Sequence, residues 1–358
     1  MKFCIQLAPY SPDSNSAGAQ VFNDILEQAK AADRLGFDAV SVTEHHLMNI
    51  LMMPAPLQLA TLIAAHTSNV KIMTSVSVLP LHDMRVFAGE VVCADIFTSG
   101  RLMLGVGRGA FAYEMERFGV PMDETQARFN ESLEVLQALL CEEEVSWDGE
   151  YYQFEPITIM PRPQTPGGPQ MMMAVLNPEG IYHCTKRGFH IQTTPLAGHH
   201  ELLQKQCSAF TSARDEMGAA GADLTLSLSR VGLPSTTQAQ KTQRIASAEQ
   251  YYSRFDNVFT GPGIVKHGLI EPLPRTQTTD ELADSLLIAT PAEMVDRLSE
   301  YDVLGVDRFI LSVNFGLPQT EVLEGIQMFA EEVATHFAAE KHQPVKPSSS
   351  GEPYVNAR

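Results

Sequence analysis

Residues 70–109, VKIMTSVSVLPLHDMRVFAGEVVCADIFTSGRLMLGVGRG, contain the pattern from which the fold is predicted. The apolar run at 70–79 is typical of a buried strand, and residues 84–97 carry apolar side chains at helical spacing. Ser99-Gly100 ends that helix, and a second apolar run follows at 101–106. The stretch therefore predicts a strand, a helix and a further strand in direct succession.

The same alternation extends in both directions from this stretch. Further strands are predicted at 2–9, 39–43, 170–176, 191–194, 224–231 and 308–313, and helices at 20–35, 56–66, 127–140, 178–187, 200–217, 239–255, 291–301 and 319–336. Short apolar strands separated by amphipathic helices favour a parallel sheet with both faces covered. About eight strands favour an α/β fold of the closed (β/α)8 type, the TIM barrel, over an open sheet.

Two segments interrupt the alternation, at 110–126 and at the Pro/Gly-rich stretch 257–284. Long irregular loops in a compact domain are often functional, so we expect 257–284 to be a lid-like loop. Residues 1–340 are expected to form a single domain with these loop excursions. Residues 341–358 are rich in Lys, Pro, Ser and Gly, which bury little apolar surface, and are expected to form a disordered tail.

Composition excludes several classes of partner. The chain has 43 acidic and 25 basic side chains, a formal charge of −18 that repels nucleic acid and anionic membranes. No stretch reaches the ~18 consecutive apolar residues of a membrane span. Five scattered cysteines without a Cys-x-x-Cys pair indicate neither a disulfide framework nor a zinc site. We therefore expect a cytoplasmic globular protein, which can still hold a phosphorylated cofactor where local donors converge.

The second strand is followed by Glu44, His45 and His46, at the position where barrels place functional groups. A histidine here can act as a general base or stabilise an oxyanion, because histidine titrates near neutrality. A polar surface loop and a metal pair are the alternatives. A metal is disfavoured because adjacent side chains alternate in direction along an extended chain. The sequence leaves the other two interpretations open.

The ends of the third and fourth strands carry small residues. Ser75 and Val76 lie where a planar ring could approach the backbone, although an ordinary buried strand has the same pattern. Gly107, Arg108 and Ala110 belong to a glycine-rich turn in which backbone N–H groups and the guanidinium can bind an anion. As a dinucleotide fingerprint the turn is a poor match, because its third glycine falls one position early.

The fifth strand leads into Leu176, Asn177 and Gly180, where Asn177 is a good N-cap and the next residue is proline. An Asn-Pro pair is a common start of a helix in any protein. The N-terminus of a helix can also bind an anion. Both interpretations remain open from the sequence.

Several segments together resemble the luciferase-like flavin-dependent monooxygenases, among them the α subunit of bacterial luciferase. The likeness covers roughly residues 1–340. It rests on the order and spacing of Met1-Lys2-Phe3, Leu35-Gly36-Phe37-Asp38, Glu44-His45-His46, Val78-Leu79-Pro80, Gly100-Arg101, Gly105 through Gly109, Phe118-Gly119 and Thr290-Pro291. No one of these motifs is specific alone.

The resemblance implies a TIM barrel that binds FMN or the deazaflavin F420, and Glu-His-His is closer to the FMN branch. The resemblance implies that His45, with Glu44 and His46 beside it, supports catalysis. It also implies a non-proline cis peptide bond between Ser75 and Val76, lying against the flavin ring. The resemblance implies that Arg108 and the backbone of Ala110 bind the FMN phosphate. Leu176, Asn177 and Gly180 match positions of the family's loop after the fifth strand. A reactive cysteine of the family is replaced by Gly107, and a Glu-Ser pair by Leu176-Asn177, so light emission is not expected.

The activity implied by this resemblance is oxygenation of a small apolar compound, by hydroxylation or Baeyer–Villiger attack, using reduced FMN and O2 through a C4a-(hydro)peroxyflavin. A separate flavin reductase would supply the reduced FMN, and a homodimer is expected. Two alternatives stay open: an F420-dependent dehydrogenase on the same barrel, and a non-catalytic flavin-binding protein.

Overall fold

The protein is described by a computed structural model over residues 1–12, 18–198 and 200–337. The predicted tail at 341–358 lies outside the described residues. The strands are β1 (Lys2–Leu7), β2 (Ala39–Val42), β3 (Lys71–Thr74), β4 (Ser77–Val78), β5 (Leu102–Gly107), β6 (Val145–Asp148), β7 (Gln153–Ile157), β8 (Gln170–Ala174), β9 (His190–Thr193), β10 (Leu226–Val231), β11 (Val265–Lys266), β12 (Leu269–Ile270) and β13 (Arg308–Ser312).

Helices separate the strands along most of the chain. They are α1 (Gly18–Leu35), α2 (Pro56–His66), α3 (Met84–Phe97), α4 (Ala112–Arg117), α5 (Thr125–Cys141), α6 (Pro178–Lys186), α7 (His200–Met217), α8 (Gln238–Phe259), α9 (Thr279–Ser285), α10 (Pro291–Val303) and α11 (Gln319–Met328). The last helix continues into a π-helical turn at Phe329–Val333 and a 3-10 turn at Ala334–Phe337.

The principal sheet is a closed parallel barrel. Its strands follow the order β3-β2-β1-β13-β10-β9-β8-β5, and β3 pairs with β5 through Ile72 with Leu102 and Met73 with Met103. β4 extends the position of β3 and pairs with the end of β5. The eight positions confirm the predicted (β/α)8 barrel.

The barrel is stable because both faces of the sheet are packed with apolar side chains. One interior layer holds Cys4, Ala39, Met73, Met103, Met172 and Ile310, from six different strands. Helix starts are fixed by side-chain caps: Asp83 accepts from the N–H of Arg85 before α3, and Thr290 forms a capping box with Glu293 before α10. Because the eight strands are parallel and the sheet is closed, their carboxyl ends meet at one mouth of the barrel.

The prediction of a single strand at 70–79 was wrong. β3 ends at Thr74 and β4 begins at Ser77, and the peptide bond between Ser75 and Val76 is cis. The apolar run concealed this interruption because both halves are buried. The cis bond lies where the family resemblance implied it.

The two interruptions are also more regular than predicted. Segment 110–126 contains α4, whose six residues are too few to show a helical period. Outside both segments, the antiparallel hairpin β6–β7 was also missed from the sequence. Segment 257–284 contains the hairpin β11–β12 and α9. It is joined to the mouth loops: Ile270 donates its N–H to Asn49 Oδ1 at 2.9 Å, and Gln277 Nε2 donates to the Ala197 carbonyl at 3.0 Å. These hydrogen bonds join the segment to loops at the mouth, and its action as a lid stays a prediction.

Candidate active site

A cavity of about 740 Å³ opens at the carboxyl ends of the strands. Ligand pockets have volumes of roughly 300–1,000 Å³, so a cofactor-sized molecule fits here. The walls include residues that follow β2, β3, β5, β8 and β9, together with the last residues of β10. The cavity therefore collects the strand-end positions singled out in the sequence.

His45 lies on the cavity wall and is held by a carboxylate that the sequence did not indicate. Its Nδ1 atom is 2.9 Å from Glu114 Oε1, and the backbone N–H of His46 donates to Glu114 Oε2 at 2.8 Å. Glu114, on α4, is fully buried, and the His45 ring stacks on Phe111 with centroids 4.2 Å apart. Because a carboxylate only accepts, Nδ1 carries the proton, and Nε2 is left as the working atom.

Glu44 forms a second buried network beside this pair. One oxygen accepts from His46 Nε2 at 3.0 Å and from His82 Nε2 at 2.8 Å, and the other accepts from the Val78 N–H at 2.8 Å. Burial by itself would raise the pKa of Glu44, but these hydrogen bonds outweigh it and hold the pKa below its usual value. Glu44 thereby ties the loop after β2 to β4.

The imidazole of His46 turns toward Glu44 and is absent from the cavity wall. The hydrogen bond to Glu44, opposed by burial and aided by the negative charges of Glu44 and Glu114, raises the pKa of His46. The structure thus separates the three adjacent residues by role: His45 faces the cavity, and His46 faces the network beneath it.

This geometry predicts a pH-dependent contribution of His46 to stability. A raised folded-state pKa gives stabilisation that is complete below the unfolded pKa of 6.5 and is lost as pH rises through the folded value. The difference in unfolding free energy between wild type and His46→Asn should therefore be largest below pH 6.5 and shrink at higher pH. Urea denaturation from pH 5.5 to 9 measures it. In a Glu44→Gln background the pH dependence should largely disappear, and a pH-independent difference in wild type would contradict the assignment.

One wall of the cavity is built from small groups and tight backbone contacts. Val76 and Gly107 both line it, and a Cβ atom at position 107 would stand 2.6 Å from Val76 Cγ2. The valine therefore fills the space that a side chain at 107 would need. A residue larger than glycine at position 107 would therefore need Val76 to move.

Positive charge gathers at the side of the mouth formed by β5 and β8. Arg108 and Arg187 are exposed and line the cavity, and in the part of the chain that the structure describes no carboxylate pairs with either guanidinium. Asn177 caps α6 by accepting from the Gly180 N–H at 2.6 Å, so its side-chain oxygen is already used. Ala110, Leu176, Asn177 and Gly180 all lie on this wall. An anion is favoured here by both the arginines and the helix start.

Another part of the cavity wall is aromatic. Phe111, Tyr251, Phe255 and Phe259 line it and contact each other, with Phe255 stacked on Phe259 at 5.4 Å. Arg230, at the end of β10, and Tyr252 also line the cavity. These residues offer an apolar compartment with a few polar groups.

All but one of the predicted site residues lie on the wall of this cavity, the exception being His46. The sequence missed Glu114, Arg187, Arg230 and the tyrosines of α8. Glu114 gave no usable signal because α4 is short. Arg230 did give a signal in the sequence. It lies on the same face of β10 as Leu226 and Leu228, and a charged side chain on such an apolar face is unusual.

Two further features concern only the described residues. Among residues 1–12, 18–198 and 200–337, no group of three His, Cys, Asp or Glu side chains could hold a metal ion. Over those same ranges no helix is both long and apolar enough to cross a membrane.

A parallel eight-stranded barrel with its polar site at the C-terminal mouth is the arrangement of TIM-barrel enzymes. The model of one family, the luciferase-like monooxygenases, matches residues 1–308. The chain belongs to this family, as the sequence resemblance indicated.

Individual relatives span nearly the whole chain. The oxygenase component of the flavin-dependent trigonelline monooxygenase from Acinetobacter baylyi is 26% identical over 333 residues, covering 90% of this chain and 91% of that protein. The F420-dependent glucose-6-phosphate dehydrogenase from Segniliparus rotundus is 27% identical over 347 residues, covering 89% and 95%. Among solved structures, the monooxygenase RslO1 from Streptomyces bottropensis superposes with a TM-score of 0.81 at 26% identity, covering 94% and 100%.

Proposed function

We propose that this protein is the oxygenase of a two-component system, which uses reduced FMN and O2 to oxygenate a small organic compound with an apolar body. The observation that carries the proposal is a single cavity in which His45, oriented by Glu114, faces the same space as Arg108 and the start of α6. The relative named as a flavin-dependent oxygenase component supports it.

The cavity walls fit FMN in shape and in charge. The wall formed by Val76 and Gly107 has no bulky side chain on the β5 strand, which suits a planar ring. Arg108, Arg187 and the N-terminus of α6 suit a phosphate, because a guanidinium and free N–H groups are preferred donors to its oxygens. Reduced FMN, when bound, supplies the electrons that activate O2.

The protein's own residues would then transfer a proton and hold the loop that carries His45 in place. His45 accepts or returns a proton at Nε2, and Glu114 keeps Nδ1 protonated so that Nε2 stays available. Glu44 and His46 are positioning residues, because they brace the loop that carries His45 against β4. Phe111 and Phe255 exclude water from the compartment in which the organic compound would bind.

A separate flavin reductase is the proposed partner, in keeping with the oxygenase-component relative. A homodimer is also proposed. Exposed apolar side chains on neighbouring helices support it, namely Leu62 on α2 and Val86 and Phe97 on α3, which are 44%, 61% and 66% exposed.

Stopped-flow absorbance tests the proposal. Photoreduced FMN bound to the protein and mixed with oxygenated buffer should give a transient near-ultraviolet absorbance that outlives the reoxidation of free flavin. In Arg108→Met the same amplitude should require about tenfold more FMN, as one charge-assisted contact is lost. Reoxidation at the rate of free flavin would contradict the proposal. Tight binding of F420 with no binding of FMN would instead establish the dehydrogenase alternative that the F420-dependent relative represents.

A further inference from the structure

Arg230 is a buried cation on the wall of the cavity. It lies at the end of β10 and is only 5% exposed. One of its terminal nitrogens donates to the Ser285 carbonyl, and the other is 3.5 Å from the Gly198 carbonyl. Its Nε atom is buried and has no hydrogen-bond partner among the described residues. The two carbonyl contacts fix the guanidinium and leave some of its five N–H donors unused.

No carboxylate neutralises this guanidinium within the described ranges. The charged or ionisable groups that act on it are Tyr301, Tyr252 and Arg297, and none of them is a carboxylate. Burial lowers the pKa of Arg230, which is the sign of an uncompensated charge. An arginine removed from water without an anion carries a desolvation cost, and a bound anion would relieve it.

Two tyrosine hydroxyls lie on the same cavity and also lack partners. Tyr251 and Tyr252 are 5% and 4% exposed, and over residues 18–198 and 200–337 neither hydroxyl makes a hydrogen bond. Arg275 lies behind Tyr252, with its guanidinium carbon 5.0 Å from the centre of the tyrosine ring. Neither hydroxyl oxygen is among the fully buried atoms that lack a partner, so both reach accessible space, where a ligand can accept from them.

We propose that Arg230, together with the hydroxyls of Tyr251 and Tyr252, binds the carboxylate of the organic substrate. The inference rests on the proposed function and adds a substrate class to it: an acid whose apolar body packs among Phe111, Phe255 and Phe259. A guanidinium matches a carboxylate in a two-pronged geometry, and phenol O–H groups can donate to the remaining lone pairs.

The position in the barrel separates this site from the phosphate end of the cavity. β10 stands three positions from β5, which leads into Arg108, and three positions from β2, which leads into His45. A molecule anchored at Arg230 can therefore extend toward His45 from the side opposite Arg108. One cavity then holds two anions at separate cations without mutual competition.

Binding of a matched pair of small probes tests the site without flavin or O2. Benzoate and benzamide have the same shape and differ in charge, and titration calorimetry at pH 7.5 gives both affinities for the full chain. We expect benzoate to bind at least about tenfold more tightly, since a buried charge-assisted contact is worth that much. Saturating FMN should leave this preference in place.

Two variants identify the cation responsible. Arg230→Met should abolish the preference for benzoate, and Arg230→Lys should retain part of it, because lysine keeps the charge and loses the planar fork. Arg297→Met is the control: Arg297 acts on Arg230 through space but is not on the cavity wall. If Arg230→Met fails to fold, the lysine variant carries the comparison.

The outcomes separate this inference from the proposed function. A benzoate preference that survives in folded Arg230→Met, or that stays at the wild-type level in Arg230→Lys, overturns the carboxylate site. A preference that FMN abolishes by competition also overturns it and assigns the anion to the phosphate end. A preference that depends on Arg230 supports the site even if the stopped-flow transient never appears. Equal binding of benzoate and benzamide to wild type also overturns it, whatever the flavin experiment shows.

Discussion

Replacing Glu114 with glutamine is expected to lower product formation by about 10²–10⁴-fold, the range seen when a histidine base loses its orienting carboxylate. The backbone N–H of His46 requires an acceptor, so the amide oxygen of the new side chain would take that position. The amide N–H₂ would then face His45 Nδ1, which is 2.9 Å from the carboxylate oxygen in the native protein. The proton would move to Nε2, and the atom that faces the cavity would no longer accept.

The measurement combines turnover with a direct probe of the tautomer. Nitrogen-15 NMR of labelled histidine should show the Nε2-protonated form of His45 in the variant and the Nδ1-protonated form in wild type. Glu116→Gln is the matched control, because Glu116 is exposed on the same helix. FMN affinity should be unchanged in both variants. Wild-type turnover in Glu114→Gln would remove this carboxylate from the mechanism.

Replacing Gly105 with alanine is expected to destabilise the fold by about 3 kcal/mol or more, at the upper end of the cost of overpacking a core. A Cβ atom at this position would stand 2.0 Å from the backbone oxygen of Thr74 and 3.4 Å from Gln192 Oε1. Thr74 also donates its hydroxyl to the Gly105 carbonyl at 2.7 Å, which ties β3 to β5 where the barrel closes. Because the obstructing atom is backbone, a rotamer change cannot make room.

Gly89→Ala gives the comparison. Gly89 lies in α3 and has open space around its missing Cβ, so alanine there should stabilise by about 0.5–1 kcal/mol through the helix propensity of the two residues. Urea denaturation followed by circular dichroism measures both variants. A Gly105→Ala midpoint equal to that of wild type would show that the strands can separate at little cost.

The fold class was predictable because it depends on the local periodicity of apolar residues. Apolar runs such as 101–106 and helical faces such as that of 84–97 reflect burial on both sides of a sheet, and each pattern is complete within a short stretch of chain. Most helix bounds agree within a few residues, since caps such as Asp83 and Thr290 act on adjacent residues. The order of strands and helices also places the residues that follow each strand at one mouth, His45 and Arg108 among them.

The sequence was less informative where the deciding partner is distant. Glu114 is 69 residues from His45, and nothing within the short helix α4 marks it as the partner. Arg230 stands out because no carboxylate acts on it among residues 1–12, 18–198 and 200–337, and this depends on how the whole mouth is assembled. The division of Glu44, His45 and His46 into separate roles depends likewise on α4 and His82.

The sequence by itself therefore determined the barrel, the end of the barrel that carries the site and the family, because each of these depends on residue types at regular or fixed spacing. The tertiary structure alone decided which imidazole faces the cavity, which carboxylate orients it and which buried cation has no carboxylate partner among the residues that the structure describes. Those features depend on distances between side chains that are remote in the chain, and only the closure of β3 on β5 and the packing of the mouth loops bring them together.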